Sequence, residues 1–246
     1  MNTEARHFFD EHGYYLARGV FTRQEIHRLE VEFDRIVAQI TSGTAPYAGP
    51  NAGEDHGIIS TTNVQKYSSL WLTHGLLHPP FLDMAENFIG PDIVLQRSSL
   101  YEKRKSQAEG PFHMHQDWLY GPVRHDTMVS GMIHVRRATA DMGALRIYPG
   151  THKTRLADAW ASDAGADFHA QFPLEDATIV EAEAGDVLFF HYCLVHGSMS
   201  NQTDAPRKVV HARMFSGEDY SENEQSSFEY LVLRGWHAHA NVRITA

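Results

Sequence analysis

The sequence lacks the features that mark several large classes of protein. It contains one cysteine, Cys193, so no disulfide can form within the chain, and we expect a reducing, cytoplasmic compartment. No apolar run approaches the roughly 20 residues that a membrane-spanning helix needs, and residues 1–7 lack the apolar core of a signal peptide. Acidic residues outnumber basic ones, giving a formal net charge of −10. These features argue against a secreted, membrane-embedded or nucleic-acid-binding protein.

No linker, repeat or low-complexity tract divides the 246 residues, so 1–246 is predicted to be a single domain. Thr22 and Glu25 form a capping-box pattern ahead of a predicted amphipathic helix. Its apolar residues recur at three- and four-residue steps: Ile26, Leu29, Phe33, Ile36, Val37 and Ile40. A second helix is predicted over 80–88. The Gly- and Pro-rich segment 43–66 is predicted to be a long loop, either a lid over a binding site or a disordered connection.

From about residue 93 the pattern changes to short runs rich in Val, Ile, Phe and Tyr. Strands are predicted over 93–100, 113–119, 127–135, 143–148, 178–182, 187–196 and 207–215. Strands and helices do not alternate regularly there, which argues against a parallel sheet. The predicted fold class is mainly β with N-terminal helices, a double-stranded β-helix of the jelly-roll, cupin-like type. Its parts are a helical region over about 1–92, a jelly-roll core over about 93–215 and a C-terminal extension over 216–246.

The tripeptide His115-Gln116-Asp117 is the most informative motif. Side chains at i and i+2 of a strand project to the same face, so His115 and Asp117 can bind one metal ion. His196, at the end of an apolar strand, can supply a third ligand. Two histidines and one carboxylate leave three positions open, which suits non-haem Fe(II) that also binds a cosubstrate and O2. Among 17 histidines, about one His-x-Asp arises by chance, and a lone histidine such as His196 is more often a core residue.

Arg207 strengthens the metal-site prediction. It follows His196 by eleven residues across a polar turn, a spacing typical of a hairpin that returns the chain to the same cavity. A planar guanidinium at that place suits bidentate binding of a carboxylate. Without its neighbours, Arg207 would be interpreted as a solvated residue at the start of a strand.

Taken together, these segments resemble the phytanoyl-CoA hydroxylase (phytanoyl-CoA dioxygenase) family of Fe(II)/2-oxoglutarate oxygenases. The resemblance is carried by 8–25, by the His-x-Asp motif at 115–117, by 143–153 and by 184–207. It runs from about residue 8 to residue 215, which is most of the chain.

The resemblance implies a role for each matching residue. The implied iron ligands are His115, Asp117 and His196. Arg207 and Ser198 would bind the distal carboxylate of 2-oxoglutarate, and Lys103 sits where the family often has a lysine. The implied reaction uses 2-oxoglutarate and O2, releases succinate and CO2, and oxidises an unactivated C–H bond. Related halogenases leave the Asp117 position empty for chloride, so the expected outcome here is hydroxylation, with desaturation and cyclisation as the alternatives.

Strand parity and proximity add further candidates. His113 shares the face of His115 and is expected to border the iron site, where it contacts 2-oxoglutarate or substrate or only holds a water. Trp118 and Tyr120 are candidates for a substrate mouth, with core packing as the alternative. His134 is either pocket-lining or structural. His211 shares parity with Arg207 and is expected to support the site from behind.

The expected substrate is a small-molecule metabolite, because an acidic chain offers few cationic groups to the polyphosphate of a CoA thioester. Two functions from other classes stay open. A cupin-like metal isomerase would not use 2-oxoglutarate, and Arg207→Ala would then be harmless. A noncatalytic metal-binding jelly-roll protein would favour a closed four-ligand site including cysteine, but Cys193 has the wrong parity to join His196. The sequence does not indicate an oligomeric state.

Overall fold

A computed structural model describes residues 2–46, 53–55, 57–107, 112–156, 164–222 and 230–239. The α-helices are α1 (Thr3–His12), α2 (Arg23–Thr41), α3 (Val64–Tyr67), α4 (Pro79–Ile89) and α5 (Ala164–Gln171). A π-helix spans Trp71–Leu76, and 3-10 turns span Asp117–Tyr120 and Thr151–Lys153. The strands are β1 (Tyr14–Ala17), β2 (Gly53–Asp55), β3 (Ile58–Thr62), β4 (Ile93–Lys103), β5 (Phe112–His115), β6 (Val129–His134), β7 (Leu145–Tyr148), β8 (Thr178–Val180), β9 (Val187–His191), β10 (Val195–Ser198), β11 (Arg207–Ser216) and β12 (Leu231–Arg234).

The strands form two antiparallel sheets. The larger has the order β1-β9-β6-β11-β4-β3-β2, with β12 also paired to β4, and the smaller has the order β5-β10-β7-β8. Apolar side chains from both sheets pack in one cluster, for example Met132 and Val209 from the larger sheet with Leu145 and Ile147 from the smaller. This double-stranded β-helix confirms the predicted fold class.

The N-terminal helices cover the outer face of the larger sheet. Helix α2 begins where predicted, because the Thr22 hydroxyl accepts from the Glu25 amide while the Glu25 carboxylate accepts from the Thr22 amide. Its apolar stripe packs with α1, α4 and outward-facing sheet residues such as Phe189 and Val210. Each fully buried large aliphatic or aromatic side chain contributes about 1.5–3 kcal/mol of transfer free energy. None of the helices described is long and apolar enough to cross a bilayer.

Two predicted strands are divided differently, and both differences shape the site. The predicted strand 187–196 is two strands, because a turn in which Leu194 N–H donates to the His191 carbonyl ends β9. The chain then crosses to the smaller sheet as β10, which carries His196. The predicted strand 113–119 ends at His115, and a 3-10 turn begins at Asp117.

Two regions predicted to lie outside the sheets instead extend them. Within 43–66, β3 pairs with β4, so this part of the segment is neither a long loop nor a disordered connection. Residues 47–52 and 56 lie outside the described structure, and with them part of the lid hypothesis. In the predicted C-terminal extension, β12 pairs with residues 93–95 of β4, on the same edge as β3 and opposite to β11.

Candidate active site

The three predicted metal ligands converge on one point. His115 ends β5, and His196 lies opposite it on β10. Asp117 is held nearby because the amides of Asp117 and Trp118 both donate to the Tyr192 carbonyl, at 2.7 and 3.2 Å. Asp117 Oδ1 lies 3.6 Å from His115 Nε2 and 4.0 Å from His196 Nε2. Within the described ranges this is the one group of three or more His, Cys, Asp or Glu side chains that could hold a metal.

The backbone decides which nitrogen of each imidazole faces the carboxylate. Nδ1 of His115 lies 2.7 Å from the His113 carbonyl, and Nδ1 of His196 lies 2.9 Å from the Leu194 carbonyl. A carbonyl only accepts, so each Nδ1 carries the proton and each Nε2 presents its lone pair. Two nitrogen lone pairs and a carboxylate oxygen therefore face one another, an arrangement that a cation between them stabilises. The donor set fits Fe(II).

Burial and charge keep the ligands in the protonation states that a metal requires. Burial alone would raise the pKa of Asp117, but Arg213 and the neighbouring histidines lower it well below its usual range. Burial, and then His115, lower the pKa of His196 to about 4. At neutral pH the site thus presents a carboxylate and a neutral imidazole, so protons compete little with a metal. Asp117 Oδ2 is buried with no hydrogen-bond partner in the described structure, and a bound cation would satisfy it.

Two adjoining cavities meet at the triad. The inner cavity, of about 70 Å³, lies between the two sheets. Its walls are apolar at Met132, Leu145 and Phe190 and polar at Ser198, Arg207 and His211. The predicted cosubstrate residues Arg207 and Ser198 therefore share one small space with the triad.

Arg207 is a buried cation at the wall of the inner cavity. Its Nη1 donates to the Gly143 carbonyl at 2.6 Å, while its Nε has no hydrogen-bond partner among the residues described. Burial lowers the pKa of Arg207 to about 10, so the guanidinium is still charged at neutral pH. A buried charge is costly unless an opposite charge pairs with it. The inner cavity therefore suits a carboxylate.

Lys103 lies behind Ser198 and lines neither cavity. Its Nζ donates to Ser198 Oγ and to the Met199 carbonyl, both at 2.6 Å. Burial, and then the charge of Arg207, lower the pKa of Lys103 to about 5, so the amine is neutral at pH 7. Because Ser198 accepts from Lys103, it can donate its own hydroxyl hydrogen to an acceptor in the cavity. Lys103 thus supports Ser198 and does not itself reach a ligand in the cavity.

The outer cavity, of about 410 Å³, adjoins the inner one and shares His115 and Asp117 with it. It is lined by β3, β4 and β11, which contribute Ser60 and Thr62, Arg97 and Tyr101, and His211 and Arg213 respectively. Its size falls within the usual range for small-molecule sites.

A model of the phytanoyl-CoA dioxygenase (PhyH) family matches residues 9–209. The chain belongs to the phytanoyl-CoA dioxygenase family. Human peroxisomal phytanoyl-CoA dioxygenase is 26% identical over 261 residues, which cover 95% of this chain and 75% of the human protein. The 1-deoxypentalenic acid 11-beta-hydroxylase of Streptomyces arenae is 27% identical over 226 residues, which cover 81% of this chain and 75% of that protein.

Solved structures share the fold of this phytanoyl-CoA dioxygenase family member. The alpha-ketoglutarate-dependent epimerase SnoN from nogalamycin biosynthesis superposes with a TM-score of 0.72 at 19% identity, covering 92% of this chain and 86% of SnoN. The nickel complex of the non-haem monooxygenase ThoJ superposes with a TM-score of 0.73 at 19% identity, covering 95% of this chain and 84% of ThoJ. Family membership identifies the protein as a 2-oxoglutarate-dependent non-haem iron oxygenase that uses Fe(II), 2-oxoglutarate and O2.

Of the candidate residues next to the triad, two line the outer cavity and one packs in the core. His113 and Tyr120 are exposed residues that line the outer cavity beside the triad. Trp118 does not reach the substrate mouth. Its ring packs with the cluster around Val123 and Phe215, and its Nε1 donates to the Gln116 side chain at 2.9 Å. The structure therefore shows the core packing that was the alternative expectation for Trp118.

His134 is buried on β6 and lines neither cavity that contains the triad. Burial, and then the charge of Arg207, lower the pKa of His134 to about 4. The structure therefore places it behind the site as a neutral core residue.

Sequence reasoning missed the two arginines of the outer cavity. The parity that groups Arg207 with His211 extends two residues further to Arg213, so that signal was present in the sequence. Arg97 lies opposite Arg213 in the register of β4 and β11. A single sequence does not give that register.

Proposed function

We propose that this oxygenase hydroxylates a C–H bond of a small-molecule metabolite and releases succinate and CO2 from 2-oxoglutarate. In this proposal the Fe(II) ligands are His115, Asp117 and His196. Arg207 and Ser198 bind the distal carboxylate of 2-oxoglutarate in the inner cavity, and substrate occupies the outer cavity. The observation that carries the proposal is that His115 and Asp117 line both a small cavity with a buried cation, Arg207, and a larger cavity beside it.

Bound Fe(II) and 2-oxoglutarate supply the chemistry that activates O2 and oxidises the C–H bond. The protein residues bind, orient and exclude water. Phe190 and Met132 form dry walls for the inner cavity. The His211 ring stacks on Phe190 with 5.5 Å between ring centroids, and burial lowers the pKa of His211 to about 3. His211 is therefore neutral and leaves Arg207 as the cation of the inner cavity.

Asp117 favours hydroxylation over halogenation, because a halogenating member of this type needs that ligand position for chloride. The name of the Streptomyces arenae relative, a hydroxylase, is in line with this outcome. SnoN has the same fold and is named an epimerase, so the outcome has to be measured on the product.

The first experiment titrates 2-oxoglutarate into the Fe(II)-loaded protein without oxygen and follows the visible charge-transfer band. We expect a band in the wild type and about 10- to 100-fold weaker 2-oxoglutarate binding in Arg207→Gln, which loses a charge-assisted pair. Arg137→Gln is the matched control, because Arg137 is a largely exposed surface residue paired with Glu183. No band in the wild type would favour the isomerase or the metal-binding protein, and equal affinity in Arg207→Gln would contradict the assigned cosubstrate site.

The second experiment supplies 18O2 to the enzyme with a substrate that stimulates succinate release. Hydroxylation places one labelled oxygen atom in the product. A desaturated, cyclised or epimerised product without label would contradict the proposed outcome while leaving the oxygenase assignment intact.

A further inference from the structure

His211 on β11 lies in the wall that the two cavities share. It lines the inner cavity together with Arg207 and Ser198, and the outer cavity together with Arg213. The sequence predicts that His211 supports the site from behind, but the structure places it at the cavity wall, 8% exposed. Its Nε2 is buried and has no hydrogen-bond partner among the residues described. A buried polar atom without a partner is costly, so His211 requires a partner that enters with a ligand.

The His211 ring lies next to the metal ligands. The Phe190 ring stacks on the His211 ring with 5.5 Å between centroids, and it also contacts the His196 ring at 4.8 Å. His115 and Asp117 line the same two cavities as His211. Burial lowers the pKa of His211, and the nearby charge of Asp117 acts in the opposite direction. A ligand that binds at the triad therefore lies beside this imidazole.

Most polar side chains around the inner cavity already have a role in the proposed function. The triad binds the metal, while Arg207 and Ser198 bind the distal carboxylate of 2-oxoglutarate. Among the described residues that line this cavity, Tyr101 and His211 are the remaining side chains with a hydrogen-bonding group. Tyr101 lies opposite Val209 in the register of β4 and β11. His211 is two residues, or about 7 Å, farther along the strand from Arg207, and so lies nearer to the opposite end of the cosubstrate.

That opposite end of 2-oxoglutarate is a 2-oxo acid group, which offers three oxygen acceptors. A metal ion binds two of them in a five-membered chelate, and the third is a carboxylate oxygen that keeps part of the negative charge. Hydrogen bonds to charged acceptors are stronger than those between neutral groups. An imidazole carries at least one N–H in either protonation state, so His211 can donate to that oxygen.

We infer that His211 donates a hydrogen bond to the 2-oxo acid group of 2-oxoglutarate and orients this group at the metal. The inference rests on the proposed function of the triad and of Arg207. It adds a second point of attachment, at the end of the cosubstrate that Arg207 does not hold. Because His211 also lines the outer cavity, this attachment borders the space proposed for substrate.

Anaerobic titration of the Fe(II)-loaded protein with 2-oxoglutarate tests the inference through the affinity and the charge-transfer band. His211→Phe keeps a planar ring against Phe190 but has no N–H. We expect this variant to bind 2-oxoglutarate about 10- to 100-fold more weakly. The band maximum at saturation should also shift, because the band arises from the metal and the 2-oxo acid group. Arg207→Gln should weaken binding without shifting the band, because Arg207 holds the distal end.

Two conservative variants and one control separate a hydrogen bond from a packing role. His211→Asn and His211→Gln each restore an N–H, on side chains of different length, and at least one should recover part of the affinity. His27→Phe makes the same substitution as the test variant at an exposed position on α2. It should have the affinity and the band of the wild type.

Any of three results in His211→Phe would overturn the inference: an unchanged affinity, an unshifted band, or a weaker affinity that neither amide variant improves. An unchanged affinity combined with loss of substrate-stimulated succinate release would assign His211 to substrate. That outcome would remove the inference and leave the proposed function intact. Absence of a band in the wild type would remove the proposed function and the inference together.

Discussion

At the scale of single residues, burial changes the protonation state of Lys103. A lysine is ordinarily charged and solvated, but Lys103 is buried beside Arg207 and donates to Ser198 and to the Met199 carbonyl. Between its folded pKa of about 5 and its usual value of 10.5, the unfolded chain binds a proton that the folded chain does not. Lys103 therefore destabilises the fold increasingly as the pH falls through this window.

Lys103→Met should remove this pH dependence. We expect the melting temperature of Lys103→Met to exceed that of the wild type most at about pH 6. This difference should become smaller as the pH rises to about 9. Thermal unfolding across this range measures the difference, with the exposed Lys153→Met as control. A difference that does not change with pH would show that Lys103 is charged in the folded protein. Lys103→Met should also weaken 2-oxoglutarate binding, because Ser198 loses the donor that orients its hydroxyl.

At the scale of secondary-structure elements, Gly143 lies where the smaller sheet approaches β4 and β11 of the larger one. It lies just before β7, has φ +72 and offers its carbonyl to Arg207. A Cβ at this position would clash with the Met199 carbonyl and come within 3.3 Å of Lys103 Nζ. The backbone at position 143 can therefore pack this closely against Arg207 and Lys103 only when the residue there is glycine.

Gly143→Ala should destabilise the protein by about 2–4 kcal/mol, as the sum of left-handed strain and steric crowding. Gly43→Ala is a matched control, because Gly43 has φ +70 and a Cβ added there would meet no described atom within 4 Å. We expect the control to cost about 1 kcal/mol. Chemical denaturation of both variants measures the two values, and equal losses would mean that the crowding at Gly143 relaxes without cost.

The sequence predicts those helices and strands that are specified by residues close together in the chain. The apolar steps of α2, its Thr22 cap and the apolar strand runs act within a few residues, and they gave the fold class. Parity along β10 and β11 brought His196, Ser198 and Arg207 into one cavity. Proximity to the metal motif left Trp118 as a candidate either for the mouth or for the core, and 187–196 was not divided at its turn. Arg97 depends on pairing with a strand more than 100 residues away, which local pattern does not contain.

At the scale of the whole molecule, the site draws on both sheets. The smaller sheet provides His115, His196 and Ser198, while the larger provides Arg207 and Arg213. A metal and a cosubstrate that contact both would hold the two sheets together and would favour the folded state. The single domain over 1–246 and the cytoplasmic location stay predictions.

Ni(II) at about 100 times its dissociation constant should stabilise the wild type by about 2.7 kcal/mol. For a protein of this size that raises the melting temperature by about 5–10 °C. Asp117→Asn should lose most of this increase, because a neutral amide is a poor metal ligand. Asp10→Asn, at an exposed position on α1, is the control. A full increase in Asp117→Asn would place the metal elsewhere.

Both histidines of the proposed metal site are oriented by the carbonyl of the residue two positions earlier in the chain. Their orientation is thus fixed by the main chain and does not depend on the side chains of β3 and β4 that line the outer cavity. Residues of the outer cavity that do not contact the triad, such as Ser60 and Thr62 on β3, can then be exchanged while the two imidazoles keep their orientation. Laboratory evolution that varies only these residues of the outer cavity should therefore change which molecules the enzyme accepts without disturbing the orientation of the two imidazoles.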